Sequence, residues 1–348
     1  MDSPTARPPG ERAIAAWLLA CCAMVFAMIV VGGMTRLTHS GLSIVEWQPI
    51  VGAVPPLDDS QWEETFAKYR ETPEYRLRNH DMTLEGFKGI FWWEYAHRLL
   101  GRVIGLVFFL PFLWFIARRR IPRRLAWPLA GIFTLGALQG AVGWFMVKSG
   151  LVDDPRVSSV RLATHLGLAF LIYASMLWVA LGLFYARERA GAGLARATRA
   201  LAALVFAMVL SGALVAAIHA GYAYNTFPLM DGNWIPPEIL MIDPWWMNFV
   251  HNMATVQFVH RTIAIVIAVS VALVWWRVRM GTPPGSHART WAHALAVMAA
   301  VQICVGIATL LLRAPLPLAA IHQAGAVLVF TCAVGLAHAL RAKEGLQP

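Results

Sequence analysis

Glu94-Tyr95-Ala96-His97-Arg98 stands just inside an apolar segment of membrane-spanning length, and Gln257-Phe258-Val259-His260-Arg261 stands inside another. His97 and His260 are separated by a little under half the chain. Histidine and arginine are costly inside hydrocarbon. Their recurrence in one arrangement reads as a single chemical site built twice and then altered.

The surroundings of these two stretches fix the class. The chain has 348 residues, 58% hydrophobic and 14% charged, with 15 Trp. Apolar runs recur along its whole length, which marks a polytopic membrane protein and not a soluble domain. The backbone must satisfy its own hydrogen bonds in hydrocarbon, and the runs are too long for barrel strands, so they are helices. The first run, Ile14 to Met34, lacks a small-x-small cleavage site and reads as a retained helix. The net charge of +10 does not point to nucleic acid, because the basic residues cluster in short connectors between spans. Cys21, Cys22, Cys304 and Cys332 all lie in apolar segments, which excludes a loop disulfide and a CxxC metal or redox motif.

Eight spans are expected, at about 13–34, 90–116, 127–147, 161–185, 199–219, 249–276, 291–312 and 317–340. Connectors 117–126, 186–198 and 277–290 are rich in arginine, and the tail carries Arg341 and Lys343. Connector 220–248 has no Lys or Arg, and 35–89 holds more acids than bases. The positive-inside rule then places both termini in the cytoplasm and the two long connectors outside, in a bacterial inner membrane. The halves 1–190 and 191–348 each hold four spans. Gln139, Val142 and Gly143 recur as Gln302, Val305 and Gly306, at the same spacing as His97 and His260. An even number of spans per half gives both the same orientation. The expected fold is therefore all-α, two tandem four-helix bundles related by a pseudo-two-fold along the membrane normal. Within the outward connector 35–89, Trp62, Phe66 and Tyr69 fall at i, i+4, i+7 and predict a short amphipathic helix lying on the surface. Trp47, Trp92, Trp93, Trp234, Trp245 and Trp246 read as an aromatic belt.

Four histidines lie inside spans: His97, His165, His260 and His322, two per half and each in the first third of its helix. One buried histidine alone is most simply a polar group hydrogen-bonded across helices. Four at equivalent places in a duplicated bundle predict two axial pairs for haem iron. His39, His80, His219, His251, His287, His293 and His338 lack that correspondence, and His219 and His251 lie close to the second site. Arg98 and Arg261 follow a histidine directly and are expected either at haem propionates or snorkelling to headgroups. Glu94 and Gln257 each precede the histidine by three positions, on its helix face. One half keeps an ionisable carboxyl where the other has an amide, so one site reads as reactive and the other as supporting. The bland alternative for Glu94 is a carboxylate stabilised near a helix N-terminus. Gly-led polar turns follow the first and fifth spans, at Gly32-Gly33-Met34-Thr35 and Gly221-Tyr222-Ala223-Tyr224, where backbone can approach a cofactor edge.

With these residues in view the chain resembles the haem A synthase family. The resemblance is carried by GGMTRLTHSGLSIVEWQPI (32–50), WEYAHRLLGRVIG (93–105), QGAVGWFMVKSGL (139–151), THLGLAF (164–170), AGYAYNTFPLMDG (220–232), TVQFVHR (255–261) and IHQAGA (321–326). It implies an enzyme that oxidises a methyl of haem O to the formyl of haem A by successive hydroxylation, through a geminal diol that loses water. The product serves cytochrome oxidase. It further implies that His97 and His165 hold haem O, that His260 and His322 ligate haem b, and that Glu94 is the essential acid. Implied partners are haem O, haem A, membrane lipid, haem O synthase and cytochrome oxidase assembly factors. Some members carry a cysteine pair in an outward loop; this chain lacks it and resembles the alphaproteobacterial and mitochondrial subgroup. Two other readings remain for the same pattern: a quinol-linked di-haem b-type electron carrier, and a haem transporter or chaperone. Glu94 against Gln257 favours chemistry over carriage.

Overall fold

The computed structural model describes residues 9–46, 48, 51–151 and 157–342. Trp47 and Lys343 fall outside them. In chain order the helices are α1 (Pro9–Leu37), α2 (Asp59–Arg70), α3 (Pro73–Leu77), α4 (Leu84–Ala117), α5 (Arg123–Lys148), α6 (Ser159–Phe184), α7 (Ala192–Ala217), α8 (Asn248–His251), α9 (Met253–Gly281), α10 (His287–Leu311) and α11 (Leu316–Ala339). All but α2, α3 and α8 are long and apolar enough to cross a membrane, which gives the eight expected spans.

Two spans begin well before their expected starts: α7 at Ala192 and not near 199, and α4 at Leu84 and not near 90. Thr83 caps it by accepting from the Gly86 N–H, and the added turns carry Phe87, which is buried. What buries it is α2. Asp58 caps that helix, and its aromatic face is the predicted one. It docks on protein, however, and not on a membrane surface. Trp62 meets Phe91 at 4.9 Å between ring centroids, and Phe66 and Tyr69 meet Phe87 at 5.2 and 5.1 Å. The extension of α4 supplies rings that satisfy the amphipathic face without lipid. Trp92, Trp93, Trp234, Trp245 and Trp246 remain exposed, as a belt requires.

The two halves pack alike. α1 lies against α4 and α6, with α5 on α6; α7 lies against α9 and α11, with α10 on α11. They differ at one seam: α10 also packs on α9, whereas α5 barely touches α4. The halves meet through α6 against α7 and α11, and α1 against α11. Phe170 packs edge-on against Phe330 at 5.2 Å, Tyr173 Oη bonds Thr331 Oγ1 at 2.8 Å, and Gln323 Nε2 donates to the Ile29 carbonyl at 2.5 Å. A feature unforeseen from sequence closes the arginine-rich end. Strand β1 (Glu188–Ala190) pairs in parallel with β2 (Leu340–Ala342), and Arg187 donates to the carbonyls of His338 and Leu340. Such short strands in charged connectors leave no periodicity to read.

Candidate functional site

The four helices that carry the intramembrane histidines all start at the end of the molecule bearing the long connectors, 38–83 and 218–252. The structure brings these residues together in pairs. His165 lies within electrostatic reach of His97, and His322 of His260. Each half therefore holds two neighbouring imidazoles, the number needed by an iron already held by a porphyrin. Among the described residues no group of three or more His, Cys, Asp or Glu converges on a metal position.

Every one of the four rings lies against a glycine on the neighbouring helix. A Cβ at Gly32 would sit 2.8 Å from His97 Cε1, at Gly143 2.8 Å from His165, at Gly212 3.2 Å from His260, and at Gly306 2.8 Å from His322. The absence of a side chain is what lets each imidazole stand upright between two helices. Gly143 and Gly306 belong to the repeat visible in sequence. Gly32 and Gly212 are its counterpart on α1 and α7. Their spacing is wider than that of His97 and His260, because the connectors differ in length, and this hides the correspondence.

The ring nitrogens separate the two halves. In the second, His260 Nδ1 bonds Ser211 Oγ at 3.2 Å and His322 Nδ1 bonds Gln302 Nε2 at 3.1 Å. Gln302 is itself fixed by the His322 carbonyl at 2.8 Å. In the first, His97 Nδ1 and His165 Nδ1 are buried with no partner, and Gln139, the counterpart of Gln302, instead reaches His165 Nε2 at 3.4 Å.

Glu94 and Gln257 do the same mechanical job with opposite polarity. Glu94 is 2% exposed. Its Oε2 accepts from Ser43 Oγ at 2.7 Å and the Ile44 N–H at 2.8 Å, and its Oε1 from Arg98 at 2.7 Å. Gln257 Nε2 donates to the carbonyls of Ala220 and Ala223, at 2.7 and 2.6 Å, and its Oε1 accepts from Arg261 at 2.8 Å. Each residue ties the segment leaving α1 or α7 onto a ligand helix. Ser43 lies in the 32–50 stretch that carries the resemblance, but only the fold shows that it meets Glu94.

The arginines expected at propionates are occupied otherwise. Arg98 donates to the carbonyls of Ile44 and Glu46, and Arg261 to those of Tyr224, Thr226 and Leu229. A carboxylate would compete with these bonds for the same nitrogens. Beside this clamp opens a cavity of about 310 Å³ lined by Lys68, Tyr95, Arg98 and Arg102 among others. His251, at the end of α8, is exposed. His219 leaves the end of α7 and stacks on His39 from the end of α1. These two are counterparts after all, at the spacing that relates Gly32 to Gly212.

Comparison with known proteins gives a consistent picture. Residues 15–334 match the COX15-CtaA family model, described as cytochrome oxidase assembly protein. A protein of Nitrosospira multiformis named heme A synthase is 58% identical over 336 residues, covering 95% of this chain and 94% of the relative. Proteins of the same name from Nitrosomonas eutropha and Rhodospirillum centenum are 55% and 49% identical, covering 92% and 98% of this chain and 92% and 93% of the relatives.

Proposed function

Because the chain belongs to the COX15-CtaA family of cytochrome oxidase assembly proteins, we propose that it is a haem A synthase, a multi-pass membrane oxidoreductase that converts a methyl of haem O to the formyl of haem A. The observation that carries the assignment of the two halves is the anchoring of the imidazole Nδ1 atoms. A ligating histidine is oriented by a partner on its other ring nitrogen. His260 has such a partner in Ser211, whose hydroxyl can accept from Nδ1–H and leave Nε2 for iron. His322 is held at Nδ1 by the Gln302 amide, which would turn its oxygen to Nδ1–H when iron takes Nε2. Rings held in this way suit a resident haem b. His97 and His165 have none on Nδ1, which suits a haem that enters and leaves as substrate. Haem b, when bound, supplies a one-electron redox centre beside the substrate half.

Glu94 carries the asymmetry of the reaction. Glu94 is the carboxyl within one helical turn of His97, placed to exchange protons at the first site. Its carboxylate oxygens hold Ser43, Ile44 and Arg98, so it also keeps the segment after α1 closed over the first site and water out of it. The distribution of arginine among the connectors supports cytoplasmic termini, with both haem sites toward the periplasmic face of a bacterial inner membrane.

The test is expression beside a haem O synthase, followed by haem extraction and mass analysis. Haem A, with the alcohol intermediate, is the expected result. Recovery of haem B and haem O alone would overturn the enzyme reading and favour a carrier.

A further inference from the structure

On α1, Gly32 and Arg36 fall at i, i+4 and so share one face, and His39 lies in the turn just past the helix end. Gly32 touches the His97 ring, which places Arg36 one turn, and His39 further, toward the long-connector end. Arg36 is partly buried, yet its guanidinium makes no hydrogen bond or ion pair with any described residue. Arg98 and Arg261, by contrast, donate to loop carbonyls, although Arg261 Nε is buried without a partner. None of the Arg36 nitrogens is a fully buried, unpaired atom, so its donors stay open to an incoming acceptor.

What surrounds Arg36 is suited to an anion. His39 stacks on His219, with ring centroids 5.9 Å apart and planes 14° from parallel. His219 in turn faces Tyr222 at 6.3 Å. Both histidines have left-handed backbone, φ 52° and 58°, which ends each helix and swings the ring across the seam between the halves. Burial, with Arg36 and Arg78 nearby, pushes both imidazoles below their ordinary range. A neutral imidazole keeps one N–H to donate. The position matching Arg36 in the second half is Ala216, at the same spacing as His39 and His219, so the cation belongs to the first site alone.

We infer that Arg36, flanked by His39 and His219, forms a subsite for a carboxylate of the porphyrin held by His97 and His165. The inference rests on the reading of the first half as the exchangeable haem site. A guanidinium grips a carboxylate through two parallel N–H bonds, and the propionates are the only charged groups a haem periphery offers. Because His219 comes from the other half, the subsite would also register the substrate across the seam.

The test uses the full chain in nanodiscs of phosphatidylcholine, with the resident haem in place. Ferric haem O and its dimethyl ester are titrated separately, and the Soret change is read. The wild type should bind the free acid at least about tenfold tighter than the ester, equivalent to about 1.4 kcal/mol. Arg36→Met should bind both alike, at the wild-type ester affinity, and Arg36→Lys should recover part of the difference. Equal binding of acid and ester by the wild type would overturn the proposal, as would discrimination retained in Arg36→Met. Adding phosphatidylglycerol separates the other source of an anion. Loss of the acid preference only when that lipid is present supports competition at this subsite. Retention of the lipid by wild type but not Arg36→Met, with acid and ester bound equally, would assign Arg36 to headgroups instead. A titration unchanged by His97→Ala would overturn the reading of the first half, and this subsite with it. Retained discrimination in an Arg36→Met protein whose titration does need His97 would overturn the subsite alone.

Discussion

Glu94→Gln looks isosteric, and the second half of the molecule carries that very amide at the equivalent place. The structure nevertheless predicts that the substitution opens the clamp over the first site. Glu94 receives three donors: Ser43 Oγ, the Ile44 N–H and Arg98 Nη2, at 2.7, 2.8 and 2.7 Å. An amide has one acceptor oxygen. If it faces Ile44 its NH2 points at Arg98; if it faces Arg98 its NH2 points at the Ile44 N–H. Either way a buried donor meets a donor, at a cost of about 1–3 kcal/mol. Arg98 also loses its counter-ion, although two carbonyls still hold it. That retention keeps the total near the low end of what breaking a buried pair costs, so ~2–4 kcal/mol is expected for local opening.

The assay is hydrogen exchange of the backbone amides between Ser40 and Glu46, read beside haem A yield. An opening cost of that size makes the Ile44 amide exchange on the order of 30- to 1,000-fold faster. Ser43→Ala removes one donor, leaves the charge, and should accelerate exchange about fivefold, for roughly 1 kcal/mol. If Ser43→Ala keeps haem A formation while Glu94→Gln abolishes it, the carboxylate has a chemical role beyond the clamp. If Glu94→Gln leaves exchange at 40–46 unchanged, the donor-counting argument is refuted.

Three further outcomes follow from the same structure. Burial pushes the Glu74 carboxyl up to about 7, with Glu94 nearby raising it further while the Tyr69 hydroxyl and Arg78 pull it down. Between about pH 4.5 and 7 the folded state then holds a proton that the unfolded chain has released, so the packing of α2 and α3 on α4 is firmest below that window and weakens as pH rises through it. Local exchange over 59–77 should rise from pH 5 to pH 8 in the wild type and stay flat in Glu74→Gln, once the intrinsic pH dependence of exchange is divided out; equal slopes in the two proteins would refute it. Gly306→Ala puts a methyl 2.8 Å from His322 Cε1 and should cost about 1–3 kcal/mol by overpacking, seen as weakened haem b retention, while Gly131→Ala, whose new Cβ meets nothing within 4 Å, should be silent. His260→Ala and His322→Ala should each abolish the bis-imidazole absorption spectrum of the resident haem, and an unchanged spectrum in both would show that other residues ligate it.

Much of the fold is legible in the sequence because bilayer physics leaves few choices. Apolar length dictates helices, arginine distribution dictates their alternation, and the doubled EYAHR and QFVHR stretches announce duplication without any geometry. The clamp is not legible. Ser43 and Ile44 lie in the 32–50 stretch that carries the resemblance, but nothing in it shows that the turn after α1 folds back to bring them onto Glu94 of α4. The pairing of His39 with His219 is hidden for a related reason. The α1 and α7 segments repeat at a wider spacing than the α4 and α9 segments, so one offset cannot reveal both. Position beside a ligand points Arg98 and Arg261 toward haem, whereas the loop carbonyls that hold them carry no sequence signature at all.

The polarity of the two clamps bears on how the halves diverged. Glu94 accepts from a hydroxyl and an N–H, and Gln257 donates to two carbonyls, so a single exchange of side chains between the copies satisfies neither loop. The loop after α1 has to present donors for a carboxylate to be kept, and the loop after α7 has to present acceptors for an amide to be kept. The same division recurs at the imidazoles, where the second copy fixes both Nδ1 atoms and the first fixes neither. Carboxylate, unanchored imidazoles and Arg36 all fall in one half; amide, anchored imidazoles and Ala216 fall in the other. Reversing the carboxylate or the amide alone leaves donors facing donors or acceptors facing acceptors. On the proposed reading the reactive character of the first half is a property of the set, and Gln257→Glu, without a counterpart of Ser43 and its turn, should destabilise the second site without making it reactive. Weaker haem b retention with no new oxidised haem product is the expected result, and full retention would show that the loop after α7 tolerates a carboxylate.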